Sequence, residues 1–178
     1  MKRILLILGA VMVLQTAPVQ GAGTASGTLN ATLNIIAGCY IDNGLGSGNL
    51  SNLGTVNFGT VSDLTAPLSV TFSGTTNDSL KLHCSNNTAY SIAIDNGLHD
   101  NSGQRRLAGG TSEFVNYNLY RDNGFLQPWN ATPVSGTVDG TGTGLATAIP
   151  LTIYARVPVQ ATPSVGTYLD TVTVTVTW

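Results

Sequence analysis

The 178-residue sequence predicts an all-β protein, a β-sandwich with Greek-key connections. Three observations carry the prediction. Apolar residues recur with a period of two almost throughout, no segment has helical spacing, and clusters of Gly, Asn and Asp separate the apolar runs. Because successive side chains of a strand point to opposite faces, a period of two marks a half-buried strand.

Taken in order, Leu29, Ala31, Leu33 and Ile35 alternate with Asn30, Thr32 and Asn34 and read as a first strand. Val56 and Phe58 lie inside Leu53-Gly54-Thr55-Val56-Asn57-Phe58-Gly59; Leu68, Val70 and Phe72 follow, then Leu80 and Leu82. The next strand runs from Tyr90 to Asp95 with Ile92 and Ile94 on one face, and stops at the turn dipeptide Asn96-Gly97. Val115, Tyr117 and Leu119 predict one strand ending at Arg121-Asp122-Asn123-Gly124. Ile149, Leu151, Ile153, Ala155 and Val157 predict a longer one, where Pro150 and Pro158 favour an edge or a bulge because proline cannot donate to a ladder. In the last strand, Leu169 to Trp178, the residues Val172, Val174, Val176 and Trp178 share one face and Thr173, Thr175 and Thr177 the other.

The N-terminus reads as a signal peptide, residues 1–21. Met1-Lys2-Arg3 is a positive n-region, Ile4 to Leu14 is an apolar h-region, and Val19-Gln20-Gly21 supplies short residues for cleavage. The apolar run is shorter than the roughly 20 residues a bilayer-spanning helix needs. Export makes oxidation of the lone pair Cys39 and Cys84 the expectation. Closing a loop of about 45 residues stabilises by roughly 4 kcal/mol on the chain-entropy account. A metal or redox pair would need closer cysteine spacing or histidine ligands. His83 adjoins Cys84 and His99 sits in a loop-like stretch, so no metal site and no cofactor are expected.

Charged residues make up 9% of the chain, against roughly 25% in an average globular domain. Nine acidic residues face seven basic ones, and cleavage removes Lys2 and Arg3, so nucleic acid is an unsuited partner. Signs of an enzyme are also missing. There is no G-x-S-x-G elbow, the single glutamate is Glu113, and Asp95, Asp100, Asp122 and Asp139 mostly occupy turns. The Gly- and Thr-rich stretch from Ser135 to Gly144 lacks the Lys-Ser/Thr of a phosphate loop and reads as a surface loop. The expectation is a non-enzyme.

The two ends of the exported chain carry the functional reading. Residues 22–28 are small and run into the alternating Leu29 to Ile35, while the last strand continues to the final residue. A sandwich whose chain ends inside a strand can leave an edge open, and a strand from another copy can fill it. The motifs resemble those of a known family. Gly38-Cys39, Leu53-Gly54-Thr55-Val56-Asn57-Phe58-Gly59, Leu80-Lys81-Leu82-His83-Cys84 and Tyr90 to Gly97 are similar to the spore coat protein U type domain. So are Arg105-Arg106-Leu107, Val115 to Asp122, and Gly166 to Val176. This is the domain of archaic, Csu-type chaperone-usher pilins. One departure is Asn130 after Trp129, where the family often has Trp-Gly.

The resemblance implies an incomplete immunoglobulin-like sandwich that lacks its last strand and is completed by donor-strand exchange. Residues 22–35 would be the donor segment and 36–178 the pilin domain. Leu29, Ala31, Leu33 and Ile35 would be the donor side chains; Val172, Val174, Val176 and Trp178 would line or border the acceptor groove. The implied partners are a periplasmic chaperone, an outer-membrane usher and neighbouring pilin subunits, in a homopolymer or mixed fibre at the cell surface that supports adhesion or biofilm formation. Three alternatives stand beside this reading. One is a secreted binding module, a tip adhesin or carbohydrate-binding sandwich, with Trp129 and Phe125 as exposed loop aromatics. Another is a spore-coat-type extracellular protein. The third, an outer-membrane barrel, fails on strand length and on the internal disulfide.

Overall fold

The computed structural model describes residues 23–44, 47–48, 52–74, 80–110 and 112–178. The predicted signal peptide, residues 1–21, lies outside them. The chain divides into two units, Met1–Asn34 and Ile35–Trp178, and every strand belongs to the second.

Twelve short strands and no helix occur among the described residues: β1 (Cys39–Asp42), β2 (Ser47–Gly48), β3 (Leu68–Phe72), β4 (Lys81–Cys84), β5 (Ala89–Ile94), β6 (Arg106–Gly109), β7 (Glu113–Asn116), β8 (Asn118–Tyr120), β9 (Val138–Thr141), β10 (Ile149–Pro150), β11 (Ile153–Val157) and β12 (Val174–Thr177). All pairings are antiparallel, in the orders β10-β4-β1-β2, β3-β11-β8, β12-β5-β9 and β6-β7. Period-two alternation becomes burial in these ladders. In β11, Ile153, Ala155 and Val157 are buried while Tyr154 and Arg156 are only half-buried. Leu82 and Cys84 of β4, Ile92 and Ile94 of β5, Leu119 of β8 and Val157 of β11 form the centre of the core. Burying an aliphatic side chain of this size stabilises by about 1.5–3 kcal/mol, so these four strands hold the sandwich together.

The strands are shorter and more numerous than the sequence suggests, because the chain changes sheets within apolar runs. Val115, Tyr117 and Leu119, expected on one strand, fall on two: β7 pairs with β6 and β8 with β11. Tyr117 stands at the break, its N–H donating to the Arg105 carbonyl at 3.0 Å. Likewise β10 pairs with β4 whereas β11 pairs with β3 and β8. Pro150 pairs with Lys81 and the register continues one step further, the Leu151 N–H donating to the Leu80 carbonyl at 2.9 Å.

Two expected strands are not strands. Leu53, Val56 and Phe58 pack half-buried against the core, yet their segment joins no ladder. Gly54 (φ 126°) and Gly59 (φ 83°) take positive φ. Each donates its N–H to the asparagine side chain two residues earlier, Asn52 at 2.8 Å and Asn57 at 2.8 Å, and such turns break the extended run. Residues 29–35 also carry no strand, for a different reason. A strand exists only with a partner, and no ladder forms on this segment.

Candidate functional site

The final strand provides the site. β12 pairs with β5 through Val174 opposite Ile94 and Val176 opposite Ile92. Among the described residues no strand pairs with its other edge. Val172, Val174 and Val176 are half-buried and pack against the core, while Thr173, Thr175 and Thr177 are exposed. Trp178, expected to continue the valine face, is 55% exposed. An edge strand with a free row of N–H and C=O groups, backed by an apolar face, is a template for an added strand.

The N-terminal residues supply apolar side chains with the matching period. Leu29 is 96% exposed and Leu33 85%, and Ala31 and Ile35 are exposed as well. Ile36 is exposed beside Ile35 although it lies out of phase with the alternation, a feature the sequence pattern did not single out.

A buried polar cluster fixes the approach to β12. Asp170 accepts hydrogen bonds from the Tyr117 hydroxyl at 2.8 Å, from His99 Nδ1 at 2.9 Å and from the His99 backbone N–H at 3.3 Å, and its side chain is 1% exposed. Arg105, 2% exposed, donates to the carbonyls of Asp95 (2.8 Å), Ile94 (3.0 Å) and Trp129 (2.7 Å). The Asp95 carboxylate in turn accepts the N–H groups of Gly97 (3.0 Å) and Thr173 (2.9 Å). Burial, reinforced by the carboxylate of Asp170, pushes the Tyr117 phenol far above its ordinary range. Burial by itself would raise the Asp95 carboxyl; the donated backbone hydrogen bonds and the Arg105 charge outweigh it and hold the group below the usual carboxylate range. Every member therefore has partners, as a buried polar network must.

The sequence pattern places Asp95 in a turn, His99 in a loop and Tyr117 on a strand face, but gives no polar partner to Arg105, Tyr117 or Asp170. Tyr117 and Asp170 are 53 residues apart, and no local spacing encodes their meeting. The cluster links the loop after β5, the junction of β7 and β8 and the segment leading into β12 through hydrogen bonds. No hydroxyl or thiol is hydrogen-bonded to His99 among the described residues.

The other singled-out residues also have definite places. Cys39 and Cys84 form the disulfide expected from the sequence. His83 stacks on Tyr40 with ring centroids 4.7 Å apart, and its Nδ1 lies 2.9 Å from the Leu145 carbonyl. Glu113 accepts hydrogen bonds from Tyr168 and from the Ser164 N–H. Among the described residues no group of three or more His, Cys, Asp and Glu side chains is placed to hold a metal. The expectation that Trp129 is an exposed loop aromatic is corrected. It is 2% exposed, and its Nε1–H donates to the Ile92 carbonyl at 2.9 Å. Phe125 is half-buried, edge-on to Tyr120 at 5.4 Å and beneath the Arg156 guanidinium at 5.1 Å.

Comparison with known proteins gives three results. The sequence model of the Spore Coat Protein U domain family matches residues 25–175. Protein U of Myxococcus xanthus is 32% identical over 169 residues, covering 88% of this chain and 87% of that protein. The fold is similar to that of a chain in the crystal structure of the CsuC-CsuE chaperone-tip adhesion subunit pre-assembly complex from archaic chaperone-usher Csu pili of Acinetobacter baumannii. That match has a TM-score of 0.53 and 21% identity, and spans 81% of this chain and 40% of that one.

Proposed function

Because this chain belongs to the Spore Coat Protein U domain family, we propose that it is a structural, non-enzymatic subunit of a surface pilus assembled through a chaperone-usher pathway. The observation that carries this reading is the half-buried valine face of β12 beside an unpaired edge. The exposed Leu29 and Leu33 add the complementary half. In the fibre, residues 22–35 of one copy add a strand to the β12 edge of the next, with Leu29, Ala31, Leu33 and Ile35 facing Val172, Val174, Val176 and Trp178. Three large apolar side chains buried at roughly 1.5–3 kcal/mol each stabilise such a joint by about 5–9 kcal/mol before the entropy of ordering the segment.

A periplasmic chaperone occupies the edge first, and an outer-membrane usher exchanges it for the next subunit's donor. The signal peptide takes the chain to the periplasm, and the fibre stands at the cell surface, supporting adhesion or biofilm formation. The buried Trp129 removes the main support for a sugar-binding module.

The test is to charge the donor face. Leu29→Asp and Leu33→Asp place a carboxylate where an apolar contact is required, whereas Asn30→Asp and Thr32→Asp place it on the opposite face. Each variant is produced with its chaperone and usher, and heat-resistant polymer is measured on a denaturing gel beside chaperone-bound subunit. The first pair should lose polymer and accumulate with the chaperone, and the second should polymerise. Parental polymer from both leucine variants would overturn the donor assignment.

A further inference from the structure

The tripeptide Asp-Asn-Gly occurs three times, as Asp42-Asn43-Gly44, Asp95-Asn96-Gly97 and Asp122-Asn123-Gly124. Each stands at the C-terminal end of a strand, after β1, β5 and β8. An Asn-Gly bond is chemically vulnerable. The glycine nitrogen can attack the asparagine side-chain carbonyl, and glycine has no side chain to obstruct the ring closure. Identical local sequence gives the three sites the same intrinsic tendency, so any difference between them comes from tertiary structure.

Two of the sites are locked. Asn43 is 6% exposed, its Nδ2 donates to the Asn52 carbonyl at 3.0 Å, and the Gly44 N–H donates to Asp42 Oδ1 at 2.7 Å. Asn96 is half-buried. The Gly97 N–H is held by Asp95 Oδ1 at 3.0 Å, that carboxylate is fixed by the Thr173 N–H, and the next residue, Leu98, donates to the Thr171 carbonyl at 3.1 Å. In both, the attacking nitrogen donates to a carboxylate, which disfavours the loss of its proton that attack requires, and the asparagine is buried (Asn43) or half-buried (Asn96).

The third site is open. Asn123 is exposed and its side chain makes no hydrogen bond among the described residues. The Asp122 carboxylate is directed mainly to the N–H groups of Gln127 at 2.7 Å and Leu126 at 3.1 Å, with Gly124 the weaker contact.

We propose that Asn123 is the site at which the folded chain deamidates spontaneously, and that Asn43 and Asn96 are protected by the aspartates that precede them. In the reaction the Gly124 nitrogen forms a bond to the Asn123 side-chain carbonyl carbon. The side-chain nitrogen leaves as ammonia, taking up the proton given by the backbone amide. Water then opens the cyclic imide at either carbonyl, leaving aspartate or isoaspartate. Each conversion adds one carboxylate to a loop that also presents Leu126, 82% exposed, so aged protein carries new charge at an apolar tip.

The test is peptide mapping of the full secreted chain, in the assembly in which it is purified, during incubation at mildly alkaline pH. The three tripeptides are followed separately by mass and by isoaspartate content. Asn123 should convert at least about tenfold faster than Asn43 or Asn96, the factor that opening one carboxylate-held hydrogen bond would impose on each locked site. In reduced, urea-unfolded chain the three rates should converge. Conversion of Asn43 or Asn96 at the pace of Asn123 in the folded protein would overturn the inference. So would a stable Asn123, or a preference for Asn123 that persists unchanged after unfolding.

Discussion

The carboxylate of Asp170 occupies the space that a side chain on Gly97 would need, so a β-carbon at position 97 would overlap Asp170 Oδ2. Gly97 also has φ 81°, a conformation that residues with a β-carbon adopt only at a cost. Gly97→Ala should therefore displace the buried carboxylate from Tyr117 and His99. The expected loss is about 2–5 kcal/mol, combining roughly 1–2 for the backbone and 1–3 for disrupted buried hydrogen bonds. Gly103 provides the control, with φ 91° and open space where its β-carbon would go. Gly103→Ala should cost only the backbone part. Urea midpoints for the two variants measure the difference, and equal losses would remove Asp170 from the account.

Cys39 and Cys84 face each other in the β1–β4 ladder and are bonded, closing a sequence separation of 45 residues. Alkylation without reductant should label no thiol on the exported protein. Replacing Cys39 with Ser, together with Cys84→Ser to avoid a free thiol, should reduce stability by about 2–4 kcal/mol. The yield of subunit should fall more than the behaviour of fibres already assembled. Two alkylated cysteines in native protein would contradict the bond.

The two faces of β12 predict opposite responses to charge. Val174→Asp puts a carboxylate on the half-buried face, and Thr175→Asp puts one on the exposed face. Expressed with chaperone and usher, the Val174 variant should fail to receive a donor strand while its own Leu29 and Leu33 remain able to donate. Mixed with parental subunits, it should still add onto a parental edge and then leave its own edge unfilled. Thr175→Asp should polymerise within a few-fold of the parent. Equal polymer yields would mean that strand addition occurs elsewhere.

Acid should weaken the domain through Asp95. Its folded-state carboxyl titrates below the usual range, while in the unfolded chain it returns to about 3.9. A depressed group contributes stability that is fully present above the unfolded value and is lost as pH falls through the folded one. Denaturant midpoints should therefore hold between neutrality and about pH 5 and fall below about pH 4. Asp95→Asn should lower the neutral midpoint and flatten this acid limb. An unchanged acid limb in that variant would assign the pH dependence to other carboxylates, such as Glu113, which is also depressed by its hydrogen bonds from Ser164.

The sequence by itself determined the all-β class, the inward residues of most strands and the cysteine pair. Each depends on information within a few residues or on there being a single possible connectivity. Ile92 and Ile94 must share a face because strands have a period of two, and they do so at the centre of the core. Asp122 and Asp95 bind backbone N–H groups a few residues ahead, as turn aspartates do. The valine face of β12 was legible on the same ground. What the sequence could not hold was the course of the chain between sheets. The apolar run from Val115 to Leu119 looks continuous, yet its two halves pair with different strands, because pairing is decided by distant partners rather than by the run itself. Trp129 shows the same limit, since a tryptophan between Pro128 and Asn130 in a loop reads as exposed until the Ile92 carbonyl is brought beneath it. The cluster of Arg105, Tyr117, His99 and Asp170 was decided wholly by tertiary structure. Buried polar groups must find partners wherever the fold supplies them, and only the folded chain fixes where those partners stand.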